Sequence, residues 1–252
     1  MKRIVIVADD FGLCTSVNNG IVTAHEDGIV TELSLMLGSP GTDHAVQLAR
    51  EHNIKNVGIH VLLKHWREHG DIFRRNEYQE LFANTTPQEL QELLEAEVQE
   101  FKKVVGHMPT HITSQYGIIS DPKLLAVAIE YAAKHHIPMR LPAQALRQPE
   151  LVLKPSDAAV LRKHHVTTTD YFFGYIEGDF DTVKAGLIMQ LQQVHANQSV
   201  ELMLHPGNVS KGLRALSSMV DERARDVRLA TDRGFKEALH DMGFTISTYS
   251  QI

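Results

Sequence analysis

Two adjacent carboxylates, Asp9 and Asp10, close an otherwise apolar run, Ile4-Val5-Ile6-Val7-Ala8. Burying such a pair without partners is costly, so partners are expected. Imidazoles stand near the ends of later apolar runs: His60 in Gly58-Ile59-His60-Val61, His111 before Ile112, and His205 before Pro206-Gly207. Gln115, Arg140 and Glu201 occupy comparable places. Carboxylate oxygen and neutral imidazole are common ligands of Zn²⁺ and other divalent first-row ions. An ion with open positions polarises a carbonyl and draws the pKa of a bound water towards neutrality. A second carboxylate takes the water's proton, and a histidine opposite protonates the leaving group. The constellation suits hydrolysis of an amide or ester. Taken singly, His60 and His111 read as satisfied core histidines, Glu201 as a strand residue and Arg140 as a surface cation. The convergence is the signal.

The surrounding pattern supplies that convergence. Strands are predicted at residues 2–8, 30–37, 56–62, 110–114, 137–141, 167–173, 199–204 and 244–249. Helices are predicted at 16–25, 42–52, 86–105, 121–135, 180–195 and 221–241. Thr86-Pro87-Gln88-Glu89 is a strong helix start, because Thr and Glu cap reciprocally and Pro suits the first turn. Apolar, β-branched strands alternating with helices mean a parallel sheet, either a closed barrel or an open doubly wound sheet. In both, the working groups lie at the C-terminal ends of the strands. No G-x-G-x-x-G follows the first strand, which disfavours a dinucleotide site. The polar and aromatic stretch at 64–86, with Trp66, Phe73, Tyr78 and Phe82, is expected to be a lid or insertion on a single domain spanning 1–252.

Composition narrows the function further. The 252 residues carry a formal net charge of -6 and no basic stripe, which argues against nucleic acid. No window approaches the ~20 apolar residues of a membrane span. Cys14 is the only cysteine, so no internal disulfide forms and a cytoplasmic location is expected.

Val7-Ala8-Asp9-Asp10-Phe11-Gly12-Leu13 resembles the opening signature of the YdjC-like carbohydrate deacetylases, which include chitooligosaccharide deacetylase. Asp43-His44-Ala45, Gly58-Ile59-His60-Val61-Leu62, Pro109-Thr110-His111-Ile112, Ile137-Pro138-Met139-Arg140 and Glu201-Leu202-Met203-Leu204-His205-Pro206-Gly207 follow in the family's order. The resemblance implies a distorted (β/α) barrel of seven to eight mainly parallel strands that removes acetyl groups from N-acetylated sugars with a divalent metal. It implies Asp9 as general base, His205 as general acid, and Asp10 and His60 as metal ligands. Arg140 would orient the base or substrate, with Glu201 and His111 as further binding or orienting groups. The family reads Ile/Leu-Asp-Ser-His-His-His after Pro-Thr-His, whereas this chain has Ile112-Thr113-Ser114-Gln115-Tyr116-Gly117. Gln115 thus stands in place of the third imidazole ligand. Its amide oxygen suits Mg²⁺ better than Zn²⁺. The alternative is a sugar-binding homologue that has lost turnover. The expected partner is a small carbohydrate, with a homodimer possible because the family often forms dimers.

Overall fold

The computed structural model describes residues 1–63, 75–140, 155–174 and 177–252. Within them, seven strands form one parallel sheet: β1 (Lys2–Phe11), β2 (Glu32–Leu35), β3 (Val57–Val61), β4 (Ile112–Ser114), β5 (Tyr171–Phe173), β6 (Ser199–Leu204) and β7 (Phe244–Ser247). The order is β4-β3-β2-β1-β6-β5. β7 shares an edge of β1 with β2: it pairs with Lys2–Val5, and β2 takes over from Val7. Single hydrogen bonds bring the two ends of this order together. Ile112 N–H donates to the Pro138 carbonyl, Arg140 N–H to Ile112, and Met139 N–H to Thr167, just ahead of β5. The sheet is therefore a curled, distorted barrel with an irregular stave at 138–140.

Alternation along the strands separates two interiors. Ile4, Ile6, Ala8, Leu33, Leu35, Val57, Ile59, Ile112, Val200 and Leu202 face outward into one apolar cluster with the helices. Those helices are α1 (Thr15–Glu26), α2 (Thr42–Glu51), α3 (Arg75–Asn84), α4 (Pro87–Val105), α5 (Pro122–His135), α6 (Pro155–Lys163), α7 (Phe180–Leu191), α8 (Lys211–Leu216), α9 (Asp221–Thr231) and α10 (Arg233–Asp241). The alternate residues turn into the lumen, where the apolar cluster is small: Val5, Val7 and Tyr249. The rest of the lumen is mainly polar, with Phe172 and Met203 set against Arg140.

Several predicted elements change shape. The expected strand at 137–141 is reduced among the described residues to one bridge, Ile112 to Met139, since Pro138 has no N–H to extend a ladder. The strand expected at 167–173 shortens to β5. The helix expected at 221–241 breaks at Asp232, which leaves helical space (φ -73°, ψ 114°) and caps the Phe235 N–H with its carboxylate. The capping box at Thr86 and Glu89 forms with both reciprocal bonds. Of the expected lid, residues 64–74, with Trp66 and Phe73, lie outside the described residues. Tyr78 and Phe82 are buried in the apolar cluster.

Candidate active site

In a regular strand Asp9 and Asp10 would face opposite sides. The β1–β2 register prevents this. Ala8 pairs with Leu33 and Phe11 with Leu35, so β1 carries one residue more than β2 over that interval. This is a β-bulge, and Asp10 sits in it with φ 67°, the left-handed region. Such a conformation costs about 1–3 kcal/mol for a residue other than glycine. Its effect is to re-aim one side chain, so that both carboxylates face His60 at the C-terminal rim.

Asp9 is held by Arg140. Arg140 Nη1 donates to its Oδ2 at 2.6 Å and Nη2 to its Oδ1 at 2.8 Å. Arg140 Nε donates to Glu201 Oε1 at 2.6 Å, and the guanidinium lies 5.1 Å from the centre of the Phe172 ring. Burial pushes the Asp9 carboxyl up. Arg140, with His60 and His205, more than offsets this and holds it well below the usual carboxylate range. Burial raises Glu201, and the opposing pull of Arg140 and Tyr249 does not cancel it. Each oxygen of Asp9 keeps a lone pair beyond the one Arg140 takes, so the carboxylate can still accept a proton donor.

Asp10 divides its oxygens. Oδ1 lies 3.6 Å from His60 Nε2, and Oδ2 accepts from Arg223 Nη2 at 2.5 Å. Burial opposes ionisation of Asp10, but Arg223 and the two histidines hold its pKa down. His60 is buried, and desolvation lowers its pKa against the pull of Asp9 and Asp10. Thr113 Oγ1 donates to the Ile59 carbonyl at 3.3 Å and stands 2.8 Å from His60 Nδ1. In that arrangement Nδ1–H donates to the threonine and Nε2 keeps its lone pair. Gln115 Oε1 faces Nε2 at 3.0 Å. Two lone-pair atoms so placed call for a cation between them, or for Gln115 to turn its NH₂ to the ring.

Bonds of about 2.1 Å to one ion span up to about 4.2 Å between donors, so the 3.6 Å separation of Asp10 Oδ1 and His60 Nε2 permits sharing. The 3.0 Å between Nε2 and Gln115 Oε1 is near the edge of an octahedron of that size. The donor set fits a hard divalent ion. Among the described residues no group of three His, Cys, Asp or Glu side chains forms such a site. A third donor would be the amide of Gln115.

His205 follows β6, half-buried, and its backbone N–H donates to Asp226 Oδ2 at 2.9 Å. Its ring has no hydrogen-bond partner among the described residues. It lies close enough to Asp9 and Asp10 that its positive charge would lower both their pKa values. Glu201 has no exposed surface and accepts from Arg140 Nε.

His111 is not brought to the rim. It points into the lumen one layer below, with Nδ1 3.3 Å from Glu32 Oε2 and Nε2 2.9 Å from Ser34 Oγ. Expected as a binding or orienting group, its ring is wholly buried. Gly58 is required there, since a Cβ would lie 2.4 Å from that ring. Arg223 and Asp226 escape a reading of strand ends, because both come from α9. They fall with Ala230 at helical spacing on its buried side. Charges on an otherwise apolar helix face were the available signal.

A curled parallel barrel whose rim gathers two carboxylates, imidazoles and a guanidinium defines a class of hydrolase-like (β/α) barrels. The chain belongs within it to a named family. A sequence profile of the YdjC-like proteins matches residues 3–241, so this is a YdjC-like protein. It is similar to the carbohydrate deacetylase of Brevibacillus brevis, 28% identical over 260 residues and covering 99% of each chain. It is also similar to the chitooligosaccharide deacetylase of Serratia marcescens, 25% identical over 267 residues, covering 100% of this chain and 99% of that one. Among solved structures, a provisionally assigned cellobiose-phosphate cleavage protein of Enterococcus faecalis V583 superposes with a TM-score of 0.82 at 24% identity, covering 99% of this chain and 98% of that one. A polysaccharide deacetylase from Bacillus cereus superposes at 0.52 and 13%, covering 99% and 92%. Both likenesses concern the fold.

Proposed function

We propose that the protein is a carbohydrate deacetylase, a hydrolase that frees acetate from N-acetylated sugars of the N-acetylglucosamine oligosaccharide type. The names of the relatives support the substrate class. The observation that carries the chemistry is the β-bulge, which puts Asp9 and Asp10 beside His60 on one rim.

A divalent ion, Mg²⁺ in preference to Zn²⁺ because two of three donors are oxygens, would be held by Asp10, His60 and Gln115 and would polarise the acetyl carbonyl and acidify water. The remaining work falls to side chains. Asp9, kept ionised and aimed by Arg140, takes the proton of the attacking water. Arg223 holds Oδ2 of Asp10 and leaves Oδ1 turned to His60. Thr113 fixes the imidazole plane and its tautomer. His205, whose ring has no hydrogen-bond partner among the described residues, gives a proton to the departing amine as the C–N bond breaks.

The test is acetate release from a panel of N-acetylglucosamine oligomers with Mg²⁺, Mn²⁺ or Zn²⁺. Turnover by the wild type, lost in Asp9→Asn and in His205→Ala, supports the reading. The amide at Gln115 favours a second one, a sugar-binding homologue without turnover. Sugar binding with no acetate under any ion would select it.

A further inference from the structure

A buried chain of side chains runs from the barrel floor to Asp9, and it starts in a segment outside the rim. After β7 the backbone turns at Thr248 into a one-turn 3₁₀ helix, Tyr249–Gln251. Because β7 and β2 share one edge of β1, this turn meets the foot of β2. There the Tyr249 N–H donates to Glu32 Oε1 at 2.9 Å. The ring enters the lumen against Val5 and Val7 and stacks on His111, with centroids 5.2 Å apart and planes 21° apart. Thr110 Oγ1 donates to the other oxygen of Glu32 at 3.0 Å, so the floor is braced from β2, β4's approach and the C-terminal turn together.

From this floor the Tyr249 hydroxyl points upward and donates to Glu201 Oε2 in a short hydrogen bond. Glu201 Oε1 accepts from Arg140 Nε, and both terminal nitrogens of Arg140 reach Asp9. Both oxygens of Glu201 are thereby used, and the residue has no exposed surface. Water therefore cannot substitute for a lost partner without the site opening.

We infer that Tyr249 is a positioning residue of the reaction: its hydroxyl fixes Glu201, and Glu201 fixes the Arg140 guanidinium plane that presents both of its terminal nitrogens to Asp9. Arg140 faces two carboxylates with one charge. The phenol's hydrogen, by satisfying Glu201 from behind, keeps that carboxylate on Nε and leaves the bidentate fork to Asp9. Without it, Glu201 has an unpaired oxygen and competes for the fork. The inference rests on the reading of Asp9 as the group that takes the water's proton.

The experiment is Tyr249→Phe in the full chain, which keeps the stacked ring and deletes one oxygen. For acetate release from an N-acetylglucosamine oligomer, kcat should fall about 10–100-fold with KM unchanged, the size seen when an orienting partner is lost. Glu201→Gln should fall similarly, and the double variant no further than the worse single one, because the two act as a unit. Unchanged kcat in Tyr249→Phe overturns the inference. So does a loss that merely follows the unfolded fraction in a melting curve. A second readout separates this from the deacetylase reading. Nitrogen-15 spectra of the Arg140 guanidinium should show slowly exchanging Nη protons in the wild type that broaden or vanish in Tyr249→Phe. Should the wild type release no acetate, the deacetylase reading falls, and the spectra alone decide the role of Tyr249: unaltered Arg140 signals would overturn it.

Discussion

The two faces of the one sheet bury opposite chemistry. Outward, Ile4, Ile6, Leu33 and Ile59 meet helices in a contact that is apolar and non-directional. Inward, Asp9 meets Arg140, Glu32 meets His111, His60 meets Thr113 and Glu201 meets Tyr249 in defined pairs. The outer layer tolerates small changes in proportion to area lost. The lumen does not, because each buried polar group depends on a particular partner. Apolar packing is thus concentrated in one compartment and chemistry in the other, although β1 supplies both from alternate residues.

Mutations can break or sharpen that contrast. The largest effect is expected from Arg140→Ala, which strips Asp9 and Glu201 together. It should cost about 3–5 kcal/mol in denaturant titrations, as removal of one partner from a buried ion pair does, and acetate release should vanish. Leu33→Ala in the outer layer should cost about 2–5 kcal/mol through cavity formation, while kcat per folded molecule stays at the wild-type value. A matching fall in kcat would show the compartments to be coupled. Thr113→Val leaves Nδ1 of buried His60 unpaired, at about 1–3 kcal/mol. It should also weaken divalent-ion binding about 10–100-fold by calorimetry. Thr86→Ala, remote from both compartments, should remove about 1 kcal/mol with its capping box, read as a drop of about 2–4 °C in Tm, and leave kcat alone.

A last, small effect is pH-dependent. Burial opposes ionisation of Asp170, but hydrogen bonds from Ser199 and the ion pair with Arg162 lower its folded pKa. A depressed carboxylate pKa adds stability above its unfolded value and loses it as pH falls through the folded one. The stability gap between wild type and Asp170→Asn should therefore be present at neutral pH and close in acid.

Much of this contrast was legible in the residues. Unbroken apolar runs announced strands covered on both sides, and polar groups at their ends announced a rim. Asp9, Asp10, His60, Gln115, Arg140 and His205 do gather there. What could not be read depends on register and closure. The extra residue between Ala8 and Phe11 leaves no mark in composition, yet it lets neighbouring carboxylates share a side. Arg223 lies on a helix, away from the strand ends where the search was made. Tyr249 reads as a strand terminus until the pairing of β7 with the first half of β1 shows where the chain must turn. His111 has the residue type and strand of a site group but sits one layer too low. Strand patterns set which side chains face inward, but not at what height.

The account turns on Asp10 and His60 sharing one cation, and titration calorimetry of Mg²⁺ and of Zn²⁺ into the purified protein tests it most directly. One ion per chain should bind, with binding lost in Asp10→Asn and in His60→Ala. No heat of binding in the wild type, or undiminished binding in both variants, would contradict the account.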